Sequence, residues 1–110
     1  NIIATGTSDD LIARAINLLV DSKGGVALSD GEEDMHIPLP LAGLMAQDDG
    51  YKVASMYESI DHKAKQLGST LRAPFMTLSF MALLVIPELK LSDEGLFDGK
   101  KFAFTPLFIS

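Results

Sequence analysis

The sequence of 110 residues contains no cysteine. This absence excludes disulfide bonds, thiolate metal ligands and cysteine nucleophiles, and it fits a cytoplasmic origin. Basic residues are also few, since nine Lys and Arg stand against fifteen Asp and Glu and give a net charge of −6. We therefore expect neither a nucleic-acid partner nor an anionic membrane partner, because both are bound by clustered basic residues.

The longest apolar run, residues 74–86, is too short to cross a bilayer as a helix, which needs about 20 apolar residues. Thr77 and Ser79 interrupt the run and Pro87 follows it. The run must therefore be buried in protein, and the mean hydropathy of +0.23 is high for so small a domain. We expect part of Met76–Ile86 to be exposed in this chain and covered by a partner.

The length fits a single domain that spans residues 1–110 and has one hydrophobic core. The sequence opens on Asn1 and Ile2 without an initiator Met, a basic leader or a cleavage site. We therefore expect the chain to be a piece of a longer polypeptide.

The first part of the chain predicts a strand followed by a helix. Ile2–Ala4 is a short β-prone run, and Thr7 or Ser8 can cap a helix that begins near Asp9. Apolar residues recur at helical spacing in that helix, and the Lys-Gly-Gly sequence at 23–25 ends it. A helix between two strands is typical of a parallel crossover connection.

A β-hairpin and a second amphipathic helix follow. Val26–Leu28 and Met35–Ile37 are predicted antiparallel partners around an acidic turn, and prolines close the second strand. Apolar residues at helical spacing predict a helix over 48–67. On its polar side, Asp61 and Lys65 have the i, i+4 spacing of an ion pair.

The last part of the chain predicts a strand, a turn and one last strand. Leu89–Leu91 alternates before a turn at Ser92–Gly95, and Phe102–Phe104 has the composition of a strand. The run 74–86 fits either a helical turn or a strand, and Leu41–Met45 receives no assignment. These elements predict an α/β fold, with α+β as the alternative, in which two main amphipathic helices pack on a small mixed β-sheet.

The two histidines of the chain, His36 and His62, are far apart and lack a metal-binding spacing. His36 lies on a predicted strand, where a hydrogen-bonded structural histidine is the commoner finding. His62 lies four residues after Glu58 on the predicted second helix, which favours a solvated i, i+4 pair. We expect no metal site in this chain.

Two polar segments have the composition of ion sites. The turn Gly6–Ser8 precedes a helix and offers free amides to an anion, but Asp9 and Asp10 place negative charge where a phosphate would lie. Plain helix capping is therefore favoured. The acidic segment Ser29–Asp34 suggests calcium, but it lacks the ligand order of an EF-hand loop, so a solvated hairpin tip is favoured.

Thr77 and Ser79 have no His, Lys or carboxylate nearby in the sequence that would activate them as nucleophiles. Their hydroxyls are expected to satisfy backbone groups within a buried segment. The residues alone therefore assign no catalytic, cofactor-binding or metal-ligating residue in this chain.

Several long motifs resemble the C-terminal domain of bacterial adenine deaminases, which belong to the metal-dependent amidohydrolase superfamily. The motifs occur in the family's order and are Pro38–Met45, Pro74–Phe80, Ile86–Leu91 and the opening Asn1–Ile3 with Gly6 and Thr7. The resemblance covers nearly the whole chain. The match is looser after Asp98, and Leu84 stands where a proline is expected.

The resemblance implies a parent enzyme that hydrolyses adenine to hypoxanthine and ammonia in purine salvage, on a metal-dependent barrel that uses manganese, iron or zinc. None of the barrel's ligands has a counterpart in this sequence. The resemblance therefore implies no cofactor in this chain and no activity of the chain alone. The implied partner is the missing amidohydrolase barrel of the same polypeptide, with adenine as the parent's substrate.

Two other functions stay open from the residues. The high apolar content favours a homo-oligomer, so a non-catalytic oligomerisation module is one alternative. A small-ligand-binding module is the other, and its only cue is the turn Gly6–Ser8.

Overall fold

The computed structural model describes residues 1–108, which form three helices and two small antiparallel sheets. In chain order the elements are α1 (Asp9–Asp21), β1 (Gly25–Ser29), β2 (Asp34–Pro38), α2 (Gly50–Gln66), α3 (Pro74–Met81), β3 (Leu89–Ser92), β4 (Gly95–Asp98) and β5 (Ala103–Thr105). This content confirms the predicted α/β class.

Helix α1 begins where the sequence predicts, because Ser8 caps it. Ser8 Oγ accepts a hydrogen bond from the Leu11 amide at 3.3 Å, and Asp9 and Asp10 add negative charge to the first turn. None of the residues of this helix is buried. Its apolar stripe is therefore only partly covered by the rest of the described chain.

The hairpin of β1 and β2 forms as predicted, with Val26 opposite Ile37. Both α1 and α2 pack on this hairpin. Asp49 caps α2 by accepting from the Tyr51 amide at 2.9 Å, and the helix agrees with the predicted bounds. Ile37 is 3% exposed and Ile60 of α2 is 1% exposed, so these two side chains mark the centre of the core.

The strand predicted at Ile2–Ala4 is absent from this chain, so the prediction is wrong for the chain alone. Residues 1–6 have no regular structure, and no described strand pairs with them. Without a paired neighbour the run makes no ladder hydrogen bonds, so nothing offsets the entropy that would be lost on ordering it. Without that strand α1 does not join two parallel strands, so the predicted single mixed sheet is also wrong.

Residues 41–45, which the sequence left unassigned, form a tight turn. The first and last of these residues exchange two backbone hydrogen bonds of 3.2 Å. Ala42 and Gly43 adopt the left-handed backbone conformation, with φ of 56° and 72°. A Cβ atom on Gly24 would lie 2.4 Å from the Gly43 Cα, so the turn packs directly on the backbone that follows α1.

The apolar run 74–86 forms the short helix α3 and the turns that follow it, with Pro74 in the first helical turn. Beyond it, β3, β4 and β5 form the second sheet, which confirms the strands predicted at 89–91 and 102–104 and adds β4, which the sequence did not predict. Phe97 is the centre of this sheet and contacts Phe102 and Phe104 edge to face, with centroid separations of 5.6 and 5.4 Å.

The molecule is elongated rather than compact. Its radius of gyration is 15.8 Å, against about 13 Å for a compact chain of this length. Within residues 1–108 the second sheet shares few contacts with the core around Ile37 and Ile60. No helix of this described part has both the length and the apolar character needed to span a bilayer.

Candidate functional site

The acidic tip of the β1–β2 hairpin is held by basic side chains of both main helices. Lys63 of α2 lies 2.7 Å from the Asp30 carboxylate and 3.1 Å from the Glu33 carboxylate. Arg14 of α1 donates to Asp34 at 2.8 Å. Residues 31–34 are exposed, which confirms the predicted solvated tip, and the helices that pack on the hairpin bring basic side chains to its end.

Asp30 is the best-satisfied carboxylate of this tip. The backbone N–H groups of Glu33 and Glu32 donate to its Oδ1 atom at 2.7 and 2.9 Å. The Glu33 amide, the Lys63 ammonium group and the Glu32 amide hold the pKa of Asp30 well below its usual range. Since its oxygens already accept these bonds, we assign Asp30 a structural role rather than a role in binding calcium.

His36 lies on β2 and faces the end of α1. Its Nε2 atom is 2.8 Å from Ser22 Oγ, which also lies 2.9 Å from the carbonyl oxygens of Leu18 and Gly24. Burial lowers the pKa of His36, so the neutral imidazole is favoured. An Nε2–H tautomer that donates to Ser22, while Ser22 donates to a carbonyl, satisfies these groups. His36 is the structural histidine that the sequence predicts.

His62 lies on the exposed side of α2. Its Nε2 atom is 3.0 Å from the side-chain nitrogen of Gln66, so the predicted pair with Glu58 is wrong. Both partners lie one turn from His62 on the same face, and the ring turns to the one on the C-terminal side. Among residues 1–108, no three His, Asp or Glu side chains gather in the manner of a metal site.

The hydroxyls of Thr77 and Ser79 donate to the carbonyl oxygens of Ala73 and Phe75, each at 2.8 Å. This confirms that they satisfy backbone groups, although both residues are exposed rather than buried. The polar side-chain groups of α3 are therefore bonded within the helix itself. Such a helix can be surrounded by apolar atoms without leaving a hydroxyl unpaired.

The outer side of α3 and the turns after it form an exposed apolar surface. The helix is apolar nearly all round, which is typical of a buried helix, yet none of its residues is buried. Five large side chains here are 46–53% exposed, and we call them the docking surface: Met76, Phe80, Met81, Leu83 and Val85. The expected exposure within Met76–Ile86 is confirmed.

The total surface shows that this exposure is large for a chain of this size. The accessible surface is 8070 Å², whereas a compact monomer of 11.8 kDa exposes about 5,900 Å². The excess of roughly 2,000 Å² is the area that one partner buries in a large permanent interface. Leu89 and Leu91, on one face of the second sheet, add to it with exposures of 53% and 73%.

An open groove of about 570 Å³ lies along β1, on a different face of α3 from the docking surface. Its walls are the segment Asn1–Ile3, the end of α1, the turn at 42–44 and the inner side of α3. Phe75 and Leu78 project from α3 into this wall. The groove is mostly apolar, so it does not fit a strongly charged ligand.

Comparison with known proteins decides the family. The family model of the adenine deaminase C-terminal domain matches residues 1–103. The chain belongs to this family. An adenine deaminase of Methanosarcina acetivorans is 53% identical over 98% of this chain, one of Sulfurovum sp. is 55% identical over 94%, and one of Salinibacter ruber is 48% identical over 99%. No solved structure matches the chain.

This adenine deaminase C-terminal domain spans about a fifth of the length of the curated relatives that it matches. The motifs behind the resemblance lie around the apolar features. Pro38–Met45 ends β2 and forms the turn beside the groove, and Pro74–Phe80 is most of α3. Ile86–Leu91 leads from the docking surface into β3. The family resemblance is confirmed, and its motifs point to packing surfaces rather than to a polar cluster.

Two features of the adenine deaminase C-terminal domain were missed by sequence reasoning. Arg14 and Lys63 were not assigned to the acidic hairpin tip, although the one arginine of α1, the lysines of α2 and the acidic run between the helices were available signals. The groove was missed as well. Its walls come from four separate parts of the chain, and no local pattern shows that they meet.

Proposed function

We propose that this domain is the C-terminal part of a cytoplasmic enzyme of purine salvage that hydrolyses adenine. In that reaction water adds to the carbon that carries the exocyclic amine, the carbon–nitrogen bond breaks, and hypoxanthine and ammonia leave. The family match over residues 1–103 supports the proposal. Support also comes from relatives named adenine deaminase that are about five times as long as this chain.

The residues of this domain do not fit a catalytic metal. His36 is bonded to Ser22, His62 is bonded to Gln66, and the carboxylate of Asp30 is held by Lys63. We therefore assign the metal, manganese with iron or zinc as alternatives, and all catalytic residues to an amidohydrolase barrel outside this chain. That barrel would supply the activated water and the proton for the leaving ammonia.

The role that we assign to the domain is to pack on that barrel as a non-catalytic part of the enzyme. The observation that carries this role is α3, which is apolar nearly all round, has its hydroxyls bonded internally and has no buried residue. A helix of this kind is stable in water only when other protein covers it. The surface excess of roughly 2,000 Å² is large enough for a permanent interface with that barrel.

An ammonia-release assay tests the proposal. The full-length parent enzyme and the 110-residue chain are each incubated with adenine and added manganese at equal molar concentration. Turnover is expected with the full-length enzyme alone. Turnover by the 110-residue chain would contradict the assignment of catalysis to the barrel, and an inactive full-length enzyme would contradict adenine as the substrate.

A homo-oligomer is the second candidate, because a second copy of the domain could also cover the docking surface. Sedimentation velocity of the full-length enzyme and of the 110-residue chain separates the two roles. An oligomer that forms with the chain alone favours assembly through this domain, whereas a monomeric chain favours packing on the barrel. Small-ligand binding at Gly6–Ser8 gains no support, since Ser8 is engaged as the cap of α1.

A further inference from the structure

The outer edge of β1 presents backbone groups that point away from its one partner strand. The ladder with β2 is flanked by two backbone hydrogen bonds, from Leu39 to the Gly24 carbonyl and from Asp30 to the Glu33 carbonyl. Hydrogen-bonded pairs alternate with non-bonded pairs along an antiparallel ladder. Because the flanking residues Gly24 and Asp30 both bond to the β2 side, the even-numbered residues of β1 are the ones that bond to β2.

The odd-numbered residues Gly25, Ala27 and Ser29 therefore turn their N–H and C=O groups outwards. Within residues 1–108 these groups have no strand beside them, because β1 and β2 form a two-stranded sheet. An open edge of this kind is a ready template for one more strand. The edge is also partly shielded from water, since all five residues of β1 have intermediate burial.

The N-terminal segment already lies beside this edge. Asn1–Ile3 forms the wall of the groove that faces Gly25 and Ala27, near the start of β1 and the end of α1. Gly6 lies against Ile12, close to the start of α1. Residues 1–6 therefore run in the same direction as β1, which is the direction required for a parallel neighbour joined through α1.

We propose that in the full-length enzyme the chain that enters this domain occupies the groove as a strand parallel to β1. The strand is formed by residues 2–4 together with the polypeptide that leads into Asn1, so the proposal rests on the proposed function. In this chain residues 2–4 are held only from the side of α1, and a segment tethered at both ends has less entropy to lose on ordering. Ile2 and Ile3 are β-branched and suit a half-buried strand.

The position of the segment also decides between this occupant and a second copy of the chain. A strand from another molecule would have to enter the space between Asn1–Ile3 and β1, which the segment joined to α1 already borders. The segment itself would cross the groove from its wall to the edge of β1 while it stays joined to α1. The covered edge would join the core of this domain directly to the chain that arrives from the barrel.

Hydrogen exchange of the full-length enzyme tests the proposal at the amides of Gly25, Ala27 and Ser29. We expect these amides to exchange at least about tenfold more slowly than open amides of the same sequence. Fast exchange of all three would overturn the proposal. In a parallel strand alternate residues bond to opposite sides, so Ile2→Pro and Ile3→Pro are prepared separately, with Ile3→Val as the matched control.

At least one proline variant is expected to lose the protection of the β1 amides, while Ile3→Val keeps it. Both proline variants are expected to keep the protection of the α2 amides around Ile60. That last readout shows that the variants are folded. Protection that survives both proline substitutions would overturn the proposal, because simple burial or another strand would then explain it. Adenine hydrolysis by the unmodified enzyme is measured separately, so a failure of the proposed activity leaves the exchange result readable.

Discussion

Substitution of Phe80 by alanine tests whether the docking surface is covered in the full-length enzyme. Phe80 is 49% exposed in this chain, so about 100 Å² of a side chain of roughly 200 Å² remains open to water. Covering that area contributes about 2.5 kcal/mol at 25 cal/mol per Å². We expect Phe80→Ala to destabilise this domain by about 2.5 kcal/mol more in the full-length enzyme than in the 110-residue chain.

The assay is hydrogen exchange of the α2 amides at increasing urea concentration, which gives the free energy of unfolding of this domain in both proteins. Tyr51→Ala is the matched control. Tyr51 is an aromatic residue in the first turn of α2, is 89% exposed and lies outside the docking surface, so its loss should be small and equal in both. Equal losses for Phe80→Ala in the two proteins would refute the reasoning.

Three predictions concern the domain itself. The pKa of Asp30 is depressed on folding, so the ionised Asp30 contributes to the free energy of unfolding above the unfolded pKa of about 3.9, and this contribution is lost as the pH falls. Asp30→Asn should therefore flatten the acid-unfolding curve followed by circular dichroism. Gly24→Ala should lower the free energy of unfolding in urea more than Gly68→Ala does, because both glycines have positive φ but only Gly24 meets the Gly43 backbone. Equal losses for the two variants would contradict that contact. Ile60→Ala should cost about 2–5 kcal/mol, and a loss below about 1 kcal/mol would show that Ile60 does not centre the core.

The elements that the sequence predicted correctly depend on local signals. Ser8 caps α1 within three residues of its own position, and Asp49 caps α2 in the same way. The hairpin of β1 and β2 needs only a short turn. The strand at Ile2–Ala4 failed because its stability depends on a partner edge and on the chain beyond it, and neither is encoded in a three-residue run.

The features of the candidate site also separate into those with a local sequence signal and those without one. The exposure of α3 was predictable, since an uncharged run with two hydroxyls is too apolar for the surface of a small domain and too short for a membrane. The pairing of Lys63 with Asp30 was not predictable, because β2, the turn at 41–45 and most of α2 separate these residues, which meet only through the packing of α2 on the sheet. Side-chain pairs of this kind follow from tertiary geometry.

The methionines of α3 report most directly on whether the domain packs through the docking surface. Met76 and Met81 are 53% and 51% exposed in this chain, so hydrogen peroxide should convert both to the sulfoxide rapidly. Matched peroxide treatment of the 110-residue chain and the full-length enzyme, read by peptide mass spectrometry, gives both rates. We predict oxidation at least about tenfold slower in the full-length enzyme. Equal rates in the two proteins would contradict the claim that α3 lies against the rest of an adenine deaminase.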